Sequence, residues 1–77
     1  MTKLHFSSSL IWWTDTVNDR EQTVVLEKIA RFHREANGDV LFYGTQNFLS
    51  LARDVDDTSY AIIPTAIRAD QMRRSQL

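Results

Sequence analysis

The chain has no cysteine, one proline and two glycines among its 77 residues. Without cysteine there is no disulfide framework, no thiol chemistry and no cysteine-ligated zinc or iron–sulfur centre. Small secreted domains usually need such staples, so a cytoplasmic home is expected. One-sided charge is missing too. Nine Lys and Arg against ten Asp and Glu give a net charge of −1. Generic binding to nucleic acid or to anionic membranes usually shows as a basic excess, so neither is favoured. No hydrophobic run approaches the length of a membrane span. Met1 to Trp13 has one Lys and a serine-interrupted apolar run with no small-residue cleavage site, which argues against a signal peptide.

Recognisable chemistry is scarce as well. His5 and His33 are the only histidines. Neither has a second His, Cys or carboxylate at the i,i+3 or i,i+4 spacing of a metal site. Asp54, Asp56 and Asp57 form an acidic cluster. It lacks the glycine of a calcium loop, and its twelfth position is Thr65, so a solvated turn is the better reading. Gly44 stands without the second glycine and lysine of a phosphate loop. Ser7 to Ser9 lack a nucleophile elbow to pair with His5 and Asp15. No cofactor, no metal and no enzymatic activity are expected.

What is present is an ordinary globular composition, 43% hydrophobic and 25% charged, with no disorder signature. A single small domain, residues 1–77, is expected. Its most clearly specified stretch is Asn18 to Gly38. Asn18 with Glu21 three residues on makes a capping-box pattern, and Asn37-Gly38 makes a helix stop. On a helical wheel Val25, Ile29, Phe32 and Ala36 form an apolar stripe opposite an almost wholly charged face. Val24 is the one apolar residue on the charged side. The expectation is an amphipathic helix over about 18–37.

Before it, residues 3–13 alternate in the manner of a half-buried strand. Two readings compete: one long strand, or a hairpin of Leu4–Phe6 against Leu10–Trp13 turning at Ser7-Ser8-Ser9. No Gly, Asn, Asp or Pro marks that turn, so the single strand is preferred. Asp39 to Tyr43 is apolar on both faces and reads as a central strand. From Thr45, Phe48, Leu51, Ala52 and Val55 follow helical spacing. A short helix is preferred there over a strand at Phe48–Arg53. Tyr60 to Ile63 reads as a strand stopped by Pro64, and the segment from Thr65 onward as a fraying helix. The expected fold is therefore α+β. A small three-stranded sheet would be packed by one main helix plus one or two short ones, in the order β-α-β-α-β-α.

Trp12 and Trp13 carry the best functional lead. On a strand they face opposite ways, so one is core and the other is covered or exposed. Leu4, Phe6, Leu10 and Trp12 make the more apolar face, so Trp13 is the expected outlier and a binding anchor. Arg68, Arg73 and Arg74 give the C-terminal segment local positive charge. The expected function is a non-enzymatic protein-binding domain, a small regulator or inhibitor of a host protein complex. The phage or mobile-element setting is an analogy of size alone. Open sheet edges also allow a homodimer. The alternative is a nucleic-acid-binding regulator using the arginines and an aromatic residue.

Overall fold

The computed structural model describes residues 1–76. It is α+β, with two three-stranded antiparallel sheets followed by one helix. The first sheet is β1 (His5–Phe6), β2 (Leu10–Asp15) and β3 (Arg20–Val25), in that spatial order. A single 3-10 turn, Leu26–Lys28, leads into the second sheet. That sheet is β4 (Arg31–Arg34), β5 (Val40–Tyr43) and β6 (Phe48–Ala52), again in sequence order. The helix α1, Asp57–Ser75, closes the fold. Among the described residues no helix is long and apolar enough to cross a membrane.

The expected order of one sheet with several helices is corrected by this arrangement. The helix expected over 18–37 is instead β3, the 3-10 turn and β4. Its two end signals serve hairpins. Asp15, not a helix terminus, organises Asn18: its carboxylate accepts from the Val17 N–H at 3.0 Å and the Asn18 side chain at 2.9 Å. Asp19 follows at φ 51, a left-handed conformation that turns the chain rather than starting a helix. Asn37-Gly38 forms the β4–β5 turn, with Gly38 at φ 93. Asn-Gly is as strong a hairpin signal as it is a helix stop. Between these turns the β-branched residues Thr23, Val24 and Val25 favour the pleated surface over the helix.

Val24 and Val25 decide the matter. The wheel placed Val25 in the stripe and Val24 among the charges. Val24 is 4% exposed and Val25 is 42% exposed, the reverse of the helical assignment. Period two is the pattern that satisfies both.

Three further expectations change. Residues 3–13 form the hairpin reading, not one strand. Ser7 replaces the missing turn residues: its hydroxyl accepts from the Leu10 N–H at 3.0 Å and its own N–H donates to the Leu10 carbonyl at 3.0 Å. Residues 48–52 form a strand, the other of the two readings, because Phe48 to Ala52 pair with β5. Tyr60 to Ile63 lie in α1 rather than a strand, and Pro64 sits inside the helix. A strong start signal outweighs that proline. Asp56 is the N-cap, accepting from the Ser59 N–H at 2.6 Å, and Asp57 lies in the first turn. A strand is found at Val40–Tyr43, and the segment from 65 onward is helical, as the second half of α1 rather than a separate short helix.

The inner faces of both sheets meet around Ile11, Trp13, Val24, Val40, Phe42 and Ile63, which are buried together. Trp13 stacks on Phe42 with ring centroids 5.8 Å apart. The helix crosses the open side. The Leu4 N–H donates to the Ser59 hydroxyl at 2.9 Å, which ties the helix start to the N-terminal segment.

The register makes a sharp prediction. Val24→Ala should cost about 2 kcal/mol or more. Val25→Ala should cost less than about 1 kcal/mol. Denaturant unfolding of the two variants measures this; a helix over 18–37 would reverse the ranking.

Candidate functional site

The second sheet has an uncovered outer face, and its composition is unusual for a small surface. Antiparallel pairing sets Arg31 opposite Tyr43 and Tyr43 opposite Phe48. A second row sets His33 opposite Leu41 and Leu41 opposite Leu51. Side chains alternate across a strand, so these six share one face while Phe32, Phe42 and Ala52 point to the core.

The first row is held together by aromatic contacts. The Arg31 guanidinium lies 4.0 Å from the centre of the Tyr43 ring. His33 stacks on Tyr43 at 5.6 Å and 21°, and Phe48 meets the ring edge-on at 5.7 Å and 74°. Such contacts are each of the order of 0.5–1.5 kcal/mol, and they fix the side chains in one arrangement. A β-bulge makes room for Phe48. Tyr43 pairs with Phe48 but Phe42 with Ser50, so Leu49 is the extra residue and turns toward the core. Phe48 is thereby left 52% exposed. Beside it, Thr45, Gln46 and Asn47 border a hollow of about 210 Å³ at the β5–β6 turn.

The residues expected at the site are dispersed. Trp13, the expected exposed anchor, is 1% exposed and lies in the core. A single strand puts Leu4 and Phe6 on the face of Trp12, whereas the hairpin pairs Phe6 with Ile11 and His5 with Trp12 and so moves Leu4 and Phe6 to the Trp13 side. Trp12 is the outward tryptophan. It is half-buried and stacks on His5 at 5.6 Å, on the first sheet. Arg68 is exposed in the middle of α1.

Arg73 and Arg74 have a structural task. Both bind the carboxylate of Asp70, with the Arg74 Nε at 2.8 Å. Arg73 also donates to the Ser8 carbonyl at 2.9 Å, pinning the helix end to the β1–β2 turn. Asp70 is 2% exposed. Hydrogen bonds from Arg73 and then Arg74 hold its carboxyl below the usual carboxylate pKa, against the opposing effect of burial.

The residues that the sequence did not mark are Arg31, Tyr43 and Phe48 as one unit. Reading Asn37-Gly38 as a hairpin turn is the signal that would have set Arg31 against Tyr43. Among the described residues no group of three or more His, Cys, Asp or Glu could hold a metal ion.

The Asp70 cluster has a pH signature. Its folded pKa is depressed, so its stabilisation is complete above the ordinary carboxylate range and is lost as pH falls through the folded value. Asp70→Asn should lower the melting temperature at neutral pH, and the loss should shrink on acidification. Thermal melts of both proteins between about pH 7 and pH 2 check this. A difference that stays constant over that range would remove Asp70 from the account.

No protein-family model, no curated protein and no solved structure matches the chain, so its candidate surface rests on its own residues and geometry.

Proposed function

We propose that the chain is a non-enzymatic protein-binding domain that works as a small regulator or inhibitor of a host protein complex, and that its contact surface is the open face of the second sheet. The observation that carries this reading is the Arg31–Tyr43–Phe48 row, with Phe48 half-exposed and the ring of Tyr43 clasped on three sides. Tyr, Phe and Arg are enriched in protein interfaces, and binding energy concentrates in such residues where they are preorganised. Leu41 and Leu51 extend the face with apolar surface, and the polar β5–β6 turn supplies a rim. Preorganisation matters here because side chains that are already ordered lose less entropy on binding.

The nucleic-acid alternative is weakened at two of its three arginines, while Arg68 stays exposed. Arg73 and Arg74 are engaged by Asp70 and Ser8.

Phe48→Ala should lower stability only by the order of its contact with Tyr43, about 0.5–1.5 kcal/mol, because the side chain is half in water already. It should strip the partner from nuclease-treated lysate captures, with loss of about 2 kcal/mol or more of binding energy if Phe48 is a hot spot. Quantitative mass spectrometry of the wild-type and variant captures decides it. Captures of the same composition from both proteins would remove this face from the function, as would binding that survives only without nuclease.

A further inference from the structure

A second surface lies behind Arg31, at the free edge of β4. In the second sheet β4 has β5 as its only neighbour among the described residues. The turn at Asn37-Gly38 sets which backbone groups are spent. The Glu35 N–H donates to the Asp39 carbonyl at 2.8 Å, and the Gly38 N–H to the Glu35 carbonyl at 3.0 Å. Glu35 and Asp39 are therefore a hydrogen-bonded pair. Alternation back along the hairpin makes His33–Leu41 and Arg31–Tyr43 the next bonded pairs. Phe32 and Arg34 fall between them, so their N–H and C=O groups point away from β5. Outside the sheet ladders no backbone hydrogen bond reaches Phe32 among the described residues, and the alternation leaves it out of the bonded β4–β5 pairs.

That edge faces a groove rather than a wall. Between β4 and α1 lies an open cleft of about 350 Å³. Its helix side presents Pro64, Ile67, Arg68 and Gln71, one stripe at helical spacing, and Phe32 and Ile29 line the strand side. No carboxylate lines it. Arg31 and Arg68 stand at its rim, and neither is in an ion pair among the described residues.

We infer that this groove takes an extended acidic peptide segment of a partner protein, added to the β4 edge as a further strand. An added strand gains main-chain hydrogen bonds from Phe32 and specificity from alternate side chains. One set faces the apolar floor of Phe32 and Ile67. The other lies on the outer face beside Arg31 and His33. The pattern that fits is apolar residues alternating with carboxylates.

Charge also decides against a second copy of this chain. Arg34 is bound by Asp57 and His33 by Glu35, so Arg31 and Arg68 are the cations left without an ion pair at the groove among the described residues, and a second copy would bring its own Arg31 to the same edge. The same charges attract an acidic strand. This surface meets the sheet face of the preceding section only at Arg31, and different variants report on the two: Phe48→Ala on the sheet face and Arg68→Glu on the groove.

The test uses the intact protein and three capped synthetic peptides: one alternating valine and glutamate, its valine–lysine counterpart, and the glutamate peptide N-methylated on the amides that would pair with β4. Amide chemical shifts and amide exchange report the site. The acidic peptide should shift the amides of Phe32, Ile67 and Arg68 and slow exchange at Phe32. The lysine peptide and the N-methylated peptide should do neither. Arg68→Glu, an exposed substitution, should weaken the acidic peptide about fivefold and flatten its salt dependence. Equal binding of the acidic and lysine peptides would overturn the inference, as would shifts confined to residues outside the groove. A doubling of the native mass with Phe32 already protected in the free protein would also overturn it, in favour of a copy at this edge.

Discussion

The stack of Trp13 on Phe42 is the contact on which the two sheets depend. Each three-stranded sheet has one apolar face that must be buried. Trp13 comes from the middle of β2 and Phe42 from the middle of β5, so their contact brings the two central strands together. The arrangement carries a cost. The Trp13 indole N–H is buried with no acceptor among the described residues, a deficit of about 1–3 kcal/mol. Burial of so large an apolar surface offsets it, since truncating a core tryptophan costs about 3–5 kcal/mol.

The helix joins this core on different terms. Its fully buried residues are Ser59, Ile63 and Asp70, so only one of the three is apolar. Polar bonds at its two ends do much of the attachment. Ser59 and Asp56 secure the start, while Asp70, Arg73 and the Ser8 carbonyl secure the finish. Ile63 is the apolar pin between them. A helix held at its ends need not pack tightly along its length, and the cleft between Pro64–Gln71 and β4 is the consequence. Arg73 and Arg74 thus look functional by composition and are architectural by position.

How much was legible follows from which signals have one meaning. The apolar block at Val40–Tyr43, bounded by glycines, has few structural readings and became β5. Asn37-Gly38 has two readings, helix stop and hairpin turn, and the choice between them carried the whole 18–37 segment. Val24 was the discordant residue. A helix had to leave it among charges, whereas a strand buries it. Tyr60 to Ile63 misled because β-branched composition and a following proline describe a strand end, while the cap that starts the helix lies four residues earlier at Asp56. The tryptophan pair was correctly read as facing opposite ways. Which face is core turns on the hairpin at Ser7–Ser9, which groups Leu4 and Phe6 with Ile11 and Trp13, and the absence of an ordinary turn residue hid that hairpin. The Arg31–Tyr43–Phe48 row has the same character, since it exists only through the β4–β5–β6 register.

Net charge is silent on how the charges are arranged. A sum of −1 suggests no preference. The fold pairs some of these charges and leaves others free. Arg34 on β4 binds Asp57 at 2.7 Å and His33 lies 3.4 Å from Glu35. Arg31 and Arg68, which line the groove, are in no ion pair among the described residues, so that edge keeps a local positive potential. Arg31 belongs to both candidate surfaces: its guanidinium rests on Tyr43 on the open face, and it also stands at the rim of the groove. An acidic strand at the β4 edge would draw on the same cation that orders Tyr43. Occupancy of one surface would then change the charge presented by the other, and the coupling would run both ways with equal free energy.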